Sequence, residues 1–100
     1  MPDWRNPEFD WDPWEGGNTD KLIDRHDVYP DEAEQIFYNG PRVRRHGENA
    51  EKELRYFIYG QTDDGRYLFL VCILRGGQVR VYSARDMTDE EQQQYRVQRR

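Results

Sequence analysis

Residues 67–74 read YLFLVCIL, eight positions without a charge and rich in aromatic and β-branched side chains. The run is too short to cross a membrane as a helix and has the composition of a strand. Arg75-Gly76-Gly77-Gln78 follows as a turn, and residues 79–84 then alternate apolar and polar. Upstream, residues 54–61 alternate as well, with Leu54, Tyr56 and Ile58 pointing one way and Arg55, Phe57 and Tyr59 the other. Thr62-Asp63-Asp64-Gly65 joins this segment to the apolar run and carries the Asp-Gly hairpin signal. Strands linked by turns this short pair antiparallel in sequence order.

The rest of the chain has to cover that sheet. Residues 9–11 (Phe-Asp-Trp) alternate and predict a short first strand, ended by Pro13 and the Gly16-Gly17 turn. Asn18 or Thr19 is placed to cap a helix over 20–26, with Leu22 and Ile23 on its buried side. Pro30, with Asp31, Glu32 and Glu34 behind it, opens a second helix. Ala33, Ile36 and Phe37 form one apolar stripe there, and Asn39-Gly40-Pro41 stops it. Residues 42–47 predict a further strand. Thr88 and Glu91 fit a capping box at the start of a last helix, whose Asp-Glu-Glu-Gln-Gln-Gln opening has no apolar side before Tyr95 and Val97. Such a helix is expected to dock weakly, or on something outside the chain. The expected fold is α+β: a small antiparallel sheet of about four strands, two N-terminal helices on one face, and a C-terminal helix. Residues 1–8 read as a flexible lead-in and 9–100 as a single domain.

The chain has 100 residues, so the core must be small, and its fourteen aromatic rings supply much of the volume. Trp4, Trp11, Trp14 and Phe9 are assigned to that packing. One cysteine, Cys72, rules out an internal disulfide and reads as a small buried hydrophobe. The acidic, aromatic opening does not read as a secretory leader, and no segment approaches a membrane span; the expected location is cytoplasmic. The net charge of −5 argues at first against a nucleic-acid partner. The charge is segregated, however. Residues 1–40 carry −8 and residues 41–100 carry +3. Arginines on the basic part offer planar forks that fit phosphate oxygens, which suits a protein that handles an anionic polymer.

The elements FDWDP (9–13), KLIDRHDV (21–28), DEAEQIF (31–37), RYFIYGQTDDGRYLFLV (55–71) and RVYSARDMTDEE (80–91) resemble, in that order, the BrnT-type toxins. The most specific parts are the basic-His pair before the second helix, the G-x-x-x-x-G-R hairpin over 60–66, and Ser-Ala-Arg at 83–85. The family usually reads Lys-His-Gly where this chain has Arg25-His26-Asp27, and often serine before the second helix where Tyr29-Pro30 stands here. The resemblance implies a RelE-like fold and a ribonuclease toxin of a type II toxin–antitoxin pair. Its implied partners are an RNA substrate and a small DNA-binding, BrnA-like antitoxin.

On that reading the reaction is RNA cleavage without a metal or other cofactor: the ribose 2′-hydroxyl attacks the adjacent phosphorus and the 5′-oxygen leaves. One group takes a proton, another gives one, and cations stabilise the extra charge of the transition state. His26 is the first candidate for proton transfer, because imidazole exchanges protons near neutral pH; His46, Glu53 and Tyr59 are the others. Arg55, Arg80 and Arg85 are assigned to the reacting phosphate. Arg75, Ser83 and the basic run Arg42, Arg44 and Arg45 are assigned to RNA binding. The competing roles are structural: Arg80 or Arg85 paired with an acid such as Asp24 or Glu34, and His26 capping its helix. Two other functions stay open. One is a non-catalytic interaction or autoregulatory partner on the same fold; the other is an unrelated α+β scaffold whose arginines only balance its acids.

Overall fold

The computed structural model describes residues 3–98. Its elements in chain order are α1 (Asn18–His26), α2 (Pro30–Tyr38), β1 (Arg42–Glu48), β2 (Leu54–Gln61), β3 (Tyr67–Arg75), β4 (Gln78–Asp86) and α3 (Asp89–Gln98). The four strands form one antiparallel sheet in the order β1-β2-β3-β4. The α+β architecture expected from the alternation of residues 54–84 is therefore the one observed, with two helices before the sheet and one after it.

Strand alternation decides which face the helices cover. Tyr56 and Ile58 of β2, Leu68, Leu70 and Cys72 of β3, and Val79, Val81 and Ala84 of β4 are all buried in one cluster with Leu22, Val28, Ala33, Ile36 and Phe37. Burying the valine, leucine, isoleucine and phenylalanine side chains among them stabilises the fold by about 1.5–3 kcal/mol each. The approach of α2 to β2 is close. A Cβ added at Gly60 would stand 2.6 Å from the Ile36 Cβ, so only glycine lets the helix lie this near the strand. The Cys72 thiol is buried and its pKa is pushed up by desolvation, as for a plain core side chain.

The N-terminal segment adds to the sheet. Phe9 forms a parallel bridge to Val79, with Asp10 N–H donating to the Val79 carbonyl (2.9 Å) and Val79 N–H donating to that of Glu8 (2.8 Å). The expected first strand over 9–11 is thus a single bridge on the free edge of β4. Trp4 packs on Tyr56 and Phe37, and Phe9 on Phe37, as the packing role predicts. Trp14 departs from it: its side chain is 62% exposed.

Helix ends follow partly different rules from those expected. α1 starts at Asn18, and its N-cap is Gly17 without a side-chain cap. Asn18 does not cap because its side chain is used elsewhere. Its Nδ2 donates to the carbonyls of Asp10 (3.1 Å) and Val81 (3.2 Å), and its Oδ1 accepts from Asp12 N–H (2.8 Å). The α1 C-cap, Asp27, sits in the left-handed region (φ 54°), where the family pattern has glycine. Arg66 ties this corner down. It forks onto Asp86 (2.8 and 3.3 Å), reaches Glu32 (3.3 Å), and donates to the carbonyls of His26 (3.2 Å) and Asp27 (2.8 Å). α3 opens on the expected capping box, with Thr88 N–H donating to Glu91 (2.9 Å) and Glu91 N–H to the Thr88 hydroxyl (3.1 Å). Its buried Tyr95 packs edge-on against Tyr67 and donates to the Gly40 carbonyl (3.3 Å).

Candidate functional site

The face of the sheet opposite the buried cluster carries the candidate cations. By register Arg55 stands opposite Ile73, and Ile73 opposite Arg80. Directly opposed residues share a face, so two arginines flank Ile73 about 10 Å apart at their Cα atoms, two strand spacings. A β-bulge then changes the phase of β4. Cys72 pairs with Val81 and Val71 with Ser83, leaving Tyr82 as an extra residue. The bulge brings Ser83 and Arg85 onto the same face as Arg80, although 80 to 83 is an odd spacing.

Arg55, Ile73, Arg80 and Ser83 border a cleft of about 830 Å³. β2, β3 and β4 contribute Arg55, Ile73, Arg75, Arg80 and Ser83; α1 contributes Lys21, Arg25 and His26; the turn before β2 contributes Asn49, Glu51 and Glu53. The structure therefore brings together His26, Arg55, Arg75, Arg80 and Ser83 from the candidates. Lys21 and Arg25 were not singled out as site residues, although their i, i+4 spacing beside His26 places the three on adjacent turns. Counting Lys and Arg against Asp and Glu, the cleft has five cations (Lys21, Arg25, Arg55, Arg75, Arg80) and three carboxylates (Asp12, Glu51, Glu53). It is locally positive in a chain of net charge −5.

The cations are not equivalent. Arg80 forks onto the buried Asp12, with one Nη1 contact of 2.8 Å and a second, shorter one from Nη2, and lies 3.4 Å from Asp10. The Arg80 guanidinium holds the Asp12 carboxyl at about 2, well below its ordinary 3.8. Arg75 forks onto Glu53 (2.7 and 3.0 Å) and, with Asn49, holds that carboxyl at about 2 instead of 4.5. The expected structural pairing of Arg80 or Arg85 with an acid is present, but the acids are not Asp24 or Glu34: Arg80 takes Asp10 and Asp12 from the N-terminal segment, and Arg85 takes Glu91 of α3. Arg55 differs. Among the described residues it has no ion pair, and its Nε is buried with no hydrogen-bond partner. Nor do the side chains of Lys21 and Arg25 have a partner there. His26 is exposed at the end of α1, and its carbonyl, not its imidazole, takes the Arg66 bond.

The other candidates lie outside the cleft. Arg85 forks onto Glu91 (2.7 and 3.0 Å) and covers the Phe69 ring at 4.4 Å. Arg42 lies 5.8 Å from the Tyr59 ring centre, and Arg44 and Arg45 are exposed on the edge strand β1. His46 stacks on Phe57 at 4.1 Å, and Tyr59 packs on Phe69 at 5.0 Å. Of the alternatives for proton transfer, only Glu53 lines the cleft, and it is bound to Arg75. Among the described residues no three His, Cys, Asp or Glu side chains are grouped to hold a metal ion. No described helix is long and apolar enough to cross a membrane.

A family model described as ribonuclease toxin, BrnT, of type II toxin–antitoxin system matches residues 14–91. No curated protein matches the chain at a significant level. The matched stretch holds every other cleft-lining residue but not Asp12, and both acids that contact Arg80, Asp10 and Asp12, lie outside it. On the strength of that match over more than three-quarters of its length, the chain belongs to the BrnT family of ribonuclease toxins of type II toxin–antitoxin systems.

Proposed function

We propose that this chain cleaves RNA in the cleft between α1 and the open sheet face, without a metal ion. The ribose 2′-hydroxyl loses its proton and attacks the adjacent phosphorus; the 5′-oxygen leaves and takes up a proton. The products are a 2′,3′-cyclic phosphate and a free 5′-hydroxyl. Arg55 grips the scissile phosphate and Arg80, oriented by Asp12, stabilises the charge that builds on its oxygens. His26 moves a proton at the rim. Lys21, Arg25, Arg75 and Ser83 hold the neighbouring backbone, while Arg85, Arg42, Arg44 and Arg45 extend the track beyond the cleft. A small DNA-binding antitoxin neutralises the activity by occluding the cations.

The observation that carries this reading is Arg55. A half-buried guanidinium that has no counter-ion among the described residues, its Nε–H unsatisfied, is costly to keep in a protein that does not use it. Phosphate oxygens supply the acceptors it lacks. The test is cleavage of single-stranded RNA by the purified chain in EDTA, with product ends identified by mass spectrometry. Cyclic phosphate ends that vanish in Arg55→Ala are expected. Absence of cleavage after removal of all co-purified protein sinks the proposal.

A second reading has its own support. Arg75, Arg80 and Arg85 are each already bound to a carboxylate, as in a scaffold or interaction partner. Capture of an antitoxin by a chain with no RNase activity favours it.

A further inference from the structure

We propose that Trp14 and Tyr82 form a nucleobase-stacking site on the rim of the cleft, which takes a base of single-stranded RNA beside the phosphate gripped by Arg55. The inference rests on the ribonuclease reading above and adds to it the groups that recognise a base.

Both rings line the cleft, and both are exposed, Trp14 at 62% and Tyr82 at 66%. The other strongly exposed large apolar side chains among the described residues, Tyr29, Tyr38 and Val97, do not line it. Two bulky rings left in water at a site with excess positive charge match the pattern by which single strands are held. Cations track the backbone, and aromatic faces take the bases.

The exposure of Tyr82 has an identifiable cause. It is the extra residue of the β4 bulge, and bulges re-aim side chains at sheet edges. Its neighbours are anchored on one side by the Asn18 side chain on the Val81 carbonyl, and by the Arg80 fork on Asp12. The Trp14 carbonyl accepts from Gly17 N–H at 3.2 Å, two residues after the same Asp12. The backbone under both rings is therefore fixed around one buried carboxylate, while the rings themselves stay open. Rings of this kind order at low entropic cost, since each has two side-chain torsions. A protein partner would bring an apolar surface and find little to match it, because the rest of the rim is polar: Lys21, Arg25, Asn49 and Glu51.

The experiment measures binding of a 2′-O-methyl single-stranded hexanucleotide by fluorescence anisotropy, with a second probe abasic at each position in turn. The proteins are wild type, Trp14→Ala, Trp14→Phe, Tyr82→Ala, Tyr82→Phe and Arg55→Ala, each checked for cooperative thermal unfolding well above the assay temperature. The alanine variants are expected to lose about 5- to 150-fold in affinity, the range of one lost base–ring stack. The phenylalanine variants should retain most of it, and one abasic probe should bind wild type and alanine variants alike. The salt dependence should stay as in wild type for the ring variants and become shallower for Arg55→Ala, since only the latter loses a phosphate contact. If wild type binds the hexanucleotide and cleaves RNA while the alanine variants bind equally well, the stacking site is refuted and the ribonuclease reading stands. If the alanine variants lose only a co-expressed partner protein, the rings belong to a protein interface and the proposal falls. Wild type that neither binds nor cleaves RNA overturns both.

Discussion

Replacing Arg55 with methionine should make the protein more stable and less active at once. The Nε–H of Arg55 is buried with no acceptor, and the side chain has no ion pair among the described residues. A buried donor left unsatisfied costs about 1–3 kcal/mol. Because the residue is only half-buried, its terminal nitrogens can still meet water, so the lower end applies. Methionine keeps an apolar stem of similar length and removes the donor. The expected gain is about 1 kcal/mol, which in a domain of 100 residues raises Tm by about 4–8 °C. The same change removes a cation from the transition-state charge and should lower kcat/KM by about 100-fold or more. Differential scanning calorimetry and a single-turnover cleavage assay on one preparation read both quantities. A Tm that drops by several degrees would mean the guanidinium makes stabilising contacts in the free protein. Unchanged kcat/KM would mean the phosphate binds elsewhere. Either result refutes the reasoning.

Other substitutions separate structural arginines from functional ones. Arg80→Ala should lower Tm more than Arg85→Ala, because it leaves the buried Asp12 without its counter-charge, whereas Arg85–Glu91 is a partly exposed pair worth about 1 kcal/mol or less. Adding Asp12→Asn to Arg80→Ala should restore part of the loss; equal melting of the two single variants would contradict this. Acid should destabilise the chain through the Arg80–Asp12 and Arg75–Glu53 pairs. Asp12 and Glu53 are held at about 2 in the folded state, below their ordinary 3.8 and 4.5. Depressed carboxylates stabilise fully above their ordinary values and lose that contribution as pH falls through the folded ones. Urea midpoints should therefore fall between about pH 4.5 and pH 2, and less steeply in Asp12→Asn; a flat profile would count against the pairs. Gly60→Ala should cost about 1–3 kcal/mol by overpacking against Ile36, measured by urea unfolding, and an unchanged midpoint would show that α2 can move away.

The sheet was legible because its information is local. Period-two alternation over 54–61, two turns with glycine, and a short apolar run specify three consecutive strands without reference to anything distant. The stripe Ala33, Ile36 and Phe37 and the Thr88–Glu91 box are equally local, and both appear where expected. Part of the candidate site was legible too. Arg55 and Arg80 share a face because strand register follows from the turns, and His26 comes to the same cleft at the end of α1. The start of α1 was misread because Asn18, a good cap by residue type, spends its side chain on Asp10, Asp12 and Val81. Trp14 was misplaced because hydrophobicity alone does not say whether a ring finds a neighbour.

The sequence by itself determined the four-stranded meander, the two helices ahead of it and the kind of cation available. These depend on periodicity and turn chemistry within a few residues. Tertiary structure alone decided that Arg55 stays unpaired while Arg75 and Arg80 do not. That depends on Asp12, 68 residues away in sequence, reaching Arg80, and on Glu53, 22 residues away, reaching Arg75, while among the described residues no carboxylate reaches Arg55. It also decided that Tyr82 faces the cleft, since a one-residue bulge shifts the phase of every side chain after it and leaves no mark in the apolar pattern.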